Sequence, residues 1–203
     1  MKPVFSFCAR KFIAPIIEIF VEDIKGKENI PQDTNFILAS NHQTNLDHLF
    51  VPLPIKDRLE KTHFIGKMDN LLQFLLAGWF YWLAETIPVN RKAKDKRKVL
   101  EKAIEALKKG QIIIIYPEGT RNRKKNLLPG KTGAAELAIR SGVPIVPMGV
   151  IYKDHKPKKL PLRLNIGEPM YFKEELSYEN LKEVTEKIMR EISFLSEKPY
   201  SSC

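Results

Sequence analysis

Four consecutive isoleucines, Ile112–Ile115, stand between Gln111 and Tyr116, with Gly110 before them and Pro117 after. β-Branched side chains are stiff and pack well on a pleated surface. A run without polar alternation has no face to give to water, so it belongs in the middle of a parallel sheet covered on both sides. The remaining chain supplies such a sheet. Asn35–Ser40 and Thr62–Gly66 read as short buried strands, and Leu162–Ile166 as a last one. Val143–Val150 reads as a strand near the sheet edge, because Pro144 and Pro147 cannot donate to a ladder. Helical patterns fall between these runs. Arg91–Lys109 carries Val99, Leu100, Ala103, Ile104 and Leu107 on one face and stops at Gly110. Gly133–Ser141 stops at Gly142, and a final helix carries Leu181, Val184, Ile188, Ile192 and Leu195. Strands alternating with helices predict an α/β fold, a single domain with a mostly parallel central sheet flanked by helices.

Two apolar stretches lie outside that pattern. Phe5, Phe12, Ile13, Ile16, Ile17 and Phe20 recur at helical spacing, with Lys11, Glu18 and Glu22 between them. The chain therefore divides into an amphipathic amino-terminal helix over residues 1–30 and a domain over residues 31–203. That helix either packs on the core or touches a membrane. Leu71–Ala84 is almost wholly apolar and holds Trp79, Phe80, Tyr81 and Trp82. As a helix it is ~21 Å long against a hydrocarbon core of ~30 Å, so it is buried or interfacial. A signal peptide is not expected, since Glu18 interrupts the first apolar patch and no small-residue cleavage site follows.

A net charge of +10, from 34 basic and 24 acidic side chains, favours anionic partners. Nucleic acid, an anionic membrane and an acidic carrier protein all satisfy it. The run Arg91–Lys98 is a solvated face or a docking surface for lipid headgroups or such a carrier. No nucleic-acid motif is present, and the aromatics gather at Trp79–Trp82 rather than among the basic residues, so nucleic acid is not expected. Cys8 and Cys203 suggest no disulfide framework and fit a reducing compartment. Gly130-Lys131-Thr132 looks like the end of a phosphate-binding loop, but the first glycine of that motif would fall on Lys125. His48 reads as a helix-face residue, and with His63 and His155 in unrelated contexts no metal is expected.

Two clusters carry chemistry. His42 and Asp47 follow the strand ending at Ser40, where parallel sheets place their sites. An imidazole there can take a hydroxyl proton while a carboxylate fixes its tautomer. A capping aspartate beside a satisfied histidine has the same spacing. Tyr116-Pro117-Glu118-Gly119-Thr120-Arg121 follows the isoleucine strand. Its glycine admits close approach and its arginine offers a planar fork for phosphate, although a solvated turn also reads so.

Asn41-His42-Gln43-Thr44-Asn45-Leu46-Asp47, then Ile87-Pro88-Val89-Asn90-Arg91, Tyr116–Arg121 and Val143–Pro147 occur in one order. Together they resemble the glycerolipid acyltransferase family, and more narrowly its bacterial 1-acylglycerol-3-phosphate acyltransferases, over roughly residues 35–169. The resemblance implies transfer of a fatty acyl group from acyl-CoA or an acyl carrier protein thioester to the sn-2 hydroxyl of lysophosphatidic acid, without a further cofactor. It implies His42 as base, Asp47 as its partner, and Arg121 as phosphate contact with Glu118, Gly119 and Thr120 shaping the pocket. Lys67 and Arg91 are implied as second phosphate contacts, and Asn41 as the residue shaping the turn before His42. It also implies a peripheral enzyme at the cytoplasmic face of a bacterial membrane. Another lysophospholipid or glycerol 3-phosphate as acceptor remains open, as does a non-catalytic basic module that binds membrane or nucleic acid. No Gly-x-Ser-x-Gly elbow occurs and both cysteines are terminal, so direct attack on the thioester is expected rather than an acyl-enzyme.

Overall fold

The computed structural model describes residues 6–67, 87–89 and 96–201. Arg91 and Leu71–Ala84 lie outside them, and of Lys67 the backbone alone is described. Seven strands form one sheet: β1 (Val21–Lys25), β2 (Ile37–Ser40), β3 (Thr62–Lys67), β4 (Ile87–Val89), β5 (Ile112–Ile115), β6 (Ile145–Tyr152) and β7 (Leu162–Ile166). Their spatial order is β1-β7-β6-β2-β5-β3-β4. Neighbours are parallel except β6 and β7, which are antiparallel. The isoleucine strand sits inside, with Ile113 opposite Ile37 on one side and His63 on the other.

Successive side chains of a strand point to opposite faces, and here each face has its own cover. Ile113 and Ile115 pack with Ile37 and Ala39 beneath three helices, α3 (Lys96–Lys108), α4 (Gly133–Ser141) and α5 (Tyr178–Ser196), which contribute Leu107, Leu137 and Ile188. Ile112 and Ile114 pack with Leu38, Val146 and Met148 beneath Phe50, Val51, Leu53 and Ala14. Those come from α1 (Ala14–Glu18), α2 (Asp47–Phe50) and the 3-10 segment Leu53–Lys61. Ile113 and Ile114 are fully buried; at about 25 cal/mol per Å² each such side chain contributes roughly 2–3 kcal/mol.

Two expectations need correction. The strand at Val143–Val150 is not near the edge: β6 runs between β2 and β7. Pro147 is tolerated because a residue's N–H and C=O leave a strand on the same side. The Pro147 carbonyl accepts from Gly167 N at 2.9 Å, just where β7 ends, so the missing N–H faces no central ladder. Gly149 serves the same strand in another way. A Cβ there would meet the Leu195 carbonyl carbon at 2.2 Å, so only glycine lets the end of α5 lie on β6. The amino-terminal helix does not continue to residue 30. After a π-helical turn (Ala9–Ile13) it ends with α1 at Glu18, and Val21–Lys25 joins the sheet as β1.

One edge of the sheet concentrates the consequences. β2, β5 and β6 run to their carboxyl ends there, while β1 and β7 start there. His42, Glu118 and Tyr152 are therefore delivered together although distant in sequence.

Candidate active site

The loop after β2 is fixed by side chains that imitate backbone. Asn41 Oδ1 accepts from Val150 N at 2.8 Å and Asn41 Nδ2 donates to Val150 O at 3.1 Å, extending the β2–β6 ladder beyond Ser40. Gln43 Nε2 donates to the same carbonyl at 2.9 Å. With the chain held on both sides of it, His42 is buried in a defined direction, its side chain 10% exposed.

His42 Nδ1 lies 2.8 Å from Asp47 Oδ2. That oxygen also accepts the amides of Gln43 at 2.6 Å and Thr44 at 2.8 Å. The other oxygen accepts the Tyr152 hydroxyl at 2.6 Å and the Thr44 hydroxyl at 3.2 Å. Burial pushes the Asp47 pKa up, but hydrogen bonds from His42, Tyr152 and Thr44, with the charge on His42, outweigh it and leave it below the ordinary value. An ionised carboxylate can only accept, so Nδ1–H faces Asp47, and in the neutral tautomer the lone pair is the one on Nε2. Burial, the charge of Asp47 and the hydrogen bond to it raise the Tyr152 pKa, which keeps the phenol a donor. The capping alternative is thus partly met, because Asp47 binds the amides of Gln43 and Thr44 as well as His42.

Aromatic rings box the imidazole. Tyr116 stacks on it with centroids 4.0 Å apart at 16°, and His48 meets it edge-on at 5.2 Å. His48 is accordingly not a plain helix-face residue. It touches Phe64 as well, and burial with the charges of His42 and Arg121 pushes its pKa down to about 4 against the pull of Asp47.

The loop after β5 turns Glu118 and Arg121 in different directions. Glu118 is buried and points inward. Its Oε1 accepts from His42 N at 3.2 Å, and its Oε2 accepts Asn122 Nδ2 at 2.6 Å and Leu128 N at 3.0 Å. Asn122 N returns a bond to His42 O at 2.6 Å. Glu118 therefore ties the loops together. Arg121 is exposed and donates from Nη1 to Asn45 Oδ1 at 2.8 Å, which spans the two motifs from outside. Thr120 is exposed and Gly119 half-buried with φ 65°. The structure thus brings His42, Asp47, Asn41, Glu118, Gly119, Thr120 and Arg121 to one place. Lys67, at the end of β3, reaches the same edge by its backbone.

Sequence reasoning missed four contributors. Tyr152 gave no signal, because a tyrosine closing an apolar strand reads as core. Asn122 lay in a loop whose polar residues look alike. Lys131 belonged to the discarded phosphate-loop resemblance, yet a Cβ on Gly119 would meet its Nζ at 2.7 Å, so its side chain crosses that glycine. Lys198 follows α5 and is buried. Burial lowers its pKa, while the charges of Glu118 and Asp47 act to raise it.

Comparisons with known proteins identify the family. The acyltransferase family model matches residues 22–151, from β1 to β6. The 1-acyl-sn-glycerol-3-phosphate acyltransferase of Escherichia coli is 34% identical over 150 residues, 71% of this chain and 58% of that protein. The enzyme of the same name from Haemophilus influenzae is 34% identical over 131 residues, 62% of this chain and 53% of that one. The chain spans about half the length of the curated relatives it matches. The crystal structure of the 1-acyl-sn-glycerophosphate acyltransferase from Thermotoga maritima superposes with a TM-score of 0.68 at 27% identity, covering 97% of this chain and 88% of that one. With the family model covering well over half its length and both of its motif loops meeting around His42, this chain belongs to the acyltransferase family.

Proposed function

We propose that the chain moves a fatty acyl group from an acyl thioester, acyl-CoA or acyl carrier protein, to the sn-2 hydroxyl of 1-acylglycerol 3-phosphate, giving phosphatidic acid. The observation that carries this reading is the His42–Asp47 pair, in which a fully hydrogen-bonded carboxylate leaves Nε2 as the base. In the reaction His42 Nε2 takes the acceptor hydroxyl proton as its oxygen attacks the thioester carbonyl. The tetrahedral oxyanion collapses with cleavage of the C–S bond, and the imidazolium returns the proton to the departing thiolate. Asp47 stabilises the imidazolium between these steps. No cofactor beyond the thioester is required. Arg121, exposed beside Asn45, is the phosphate contact, with Lys67 and Arg91 as further cations. The names of the relatives support a phosphate monoester acceptor. A basic binding module without catalysis has no use for a buried, five-times hydrogen-bonded carboxylate beside a histidine.

The enzyme acts peripherally at the cytoplasmic face of the membrane that holds its acceptor. Among the described residues no helix is long and apolar enough to cross a membrane. Phe12, Ile16 and Ile19 of the amino-terminal segment are 59%, 60% and 76% exposed, and this apolar ridge suits an interfacial layer.

The test is turnover of purified protein with a panel of lysophosphatidic acid, other lysophospholipids and glycerol 3-phosphate, each with both thioester donors. Lysophosphatidic acid is expected to be the preferred acceptor. His42→Ala is expected to cut kcat by about 10³-fold while the variant still folds, with a cooperative unfolding transition at a modestly lower temperature. Near-normal turnover by that variant, or preference for an acceptor without phosphate, would refute the reading.

A further inference from the structure

Beyond Tyr152, the residue that holds Asp47, β6 continues into the loop 153–161 that turns back into β7. This loop carries Lys153, Lys156, Lys158 and Lys159, all exposed. Its neighbours neutralise part of the charge. Asp154 pairs with Lys159, and Glu197 takes Arg163 at 3.1 Å and His155 at 3.6 Å. Lys153, Lys156 and Lys158 have no ion pair among the described residues. Asp154, His155 and Lys158 hold left-handed φ angles of 51°, 53° and 72°.

The loop adjoins the apolar ridge of the amino-terminal segment. Leu162 N, directly after the loop, donates to Phe20 O at 3.0 Å, and β1 then runs beside β7. Glu22, Lys153, Asp154, His155 and Arg163 line a groove where the loop meets β1 and β7. An exposed aliphatic and aromatic ridge and a cationic loop are thus fused by a backbone hydrogen bond, on the edge of the sheet where His42 stands.

We propose that the β6–β7 loop is an electrostatic docking element for a lipid surface, with Lys153, Lys156 and Lys158 binding anionic headgroups while Phe12, Ile16 and Ile19 enter the apolar layer. The inference rests on the membrane-embedded acceptor of the proposed function and assigns the surface that meets it. The juxtaposition selects the partner. An acidic protein or a nucleic acid answers the lysines but gains nothing from the aliphatic ridge beside them, whereas a bilayer interface offers anions and hydrocarbon within one headgroup depth. Because β6 carries Tyr152 to Asp47 and then enters this loop, docking here turns the edge bearing His42 toward the lipid.

Sedimentation of the full chain with phosphatidylcholine vesicles, with and without phosphatidylglycerol, tests this. The triple variant Lys153→Gln, Lys156→Gln, Lys158→Gln is expected to lose about 100-fold in partitioning onto phosphatidylglycerol vesicles, roughly fivefold per lysine. Its salt dependence should flatten, while partitioning onto pure phosphatidylcholine, thermal unfolding and turnover of a short-chain, monomeric acceptor stay unchanged. Unaltered partitioning of the variant would overturn the proposal. So would a raised KM for acyl carrier protein thioester with vesicle binding intact, which would give the loop to the carrier protein. A wild type inactive on every acceptor, but still showing the vesicle difference, would sink the acyl-transfer reading and leave the docking element supported.

Discussion

The loops after β2 and β5 leave the sheet side by side, yet their polar groups are handled in opposite ways. After β2 every oxygen of Asp47 is engaged by its own loop or by Tyr152, and the residue is completely buried. After β5 the acid is buried as a tie between loops, while Arg121 stays at the surface with Asn45 as its side-chain partner. The proton-transfer pair of the proposed reaction must hold its geometry between turnovers, which calls for a closed, satisfied network. A cation that meets a diffusing phosphate must stay accessible instead. The loops are nonetheless one unit, since His42 N binds Glu118 and Asn122 N binds the His42 carbonyl.

The largest expected effect separates Glu118 from Arg121. Glu118→Ala strands the amides of His42 and Leu128 and the Asn122 side chain, and should cost about 4 kcal/mol of stability in denaturant unfolding. Arg121→Ala should leave unfolding unaltered and raise the acceptor KM by 10- to 100-fold, the worth of a charge-assisted hydrogen bond, with little change for the donor. Equal stability losses would erase the distinction between tie and clamp.

The pH dependence of stability sharpens the contrast from the side of the β2 loop. His48 stays neutral in the folded protein down to about pH 4, whereas its ordinary value is 6.5. The unfolded chain therefore binds more protons between those values, and stability falls as pH falls through that window, by about 2 kcal/mol after allowing for partial exposure. The lowered Asp47 value acts in the same direction only at more acid pH, as the carboxylate itself protonates. In His48→Gln, the decline between pH 6.5 and pH 4 should flatten; an unchanged slope would remove His48 as its source.

The smallest effect isolates Tyr152. Tyr152→Phe removes one of two donors to Asp47 Oδ1, leaving Thr44, and should cost about 1 kcal/mol of stability. Turnover should fall several-fold with KM unchanged, because the carboxylate is less firmly aimed at His42. A change confined to KM would move Tyr152 from positioning to binding.

The isoleucine run determined its own place inside a sheet, because no other environment removes four β-branched side chains from water on both faces. The helix ended by Gly142 was equally legible, as was the pairing of two motifs after two buried strands. Local pattern stops there. Pro147 argued for an edge strand, since the sequence cannot tell which side of β6 a missing N–H faces. Val21–Lys25 continued an apolar segment and gave no sign of the β7 edge it pairs with. The five-residue spacing of His42 and Asp47 fitted a cap better than a catalytic pair. What the spacing could not show was Tyr152, separated from Asp47 by 105 positions and brought to its carboxylate only because β6 lies next to β2. Spacing along a chain fixes which groups can reach one another locally. The charge state and aim of a buried group depend on everything packed around it, and only the tertiary structure assembles that.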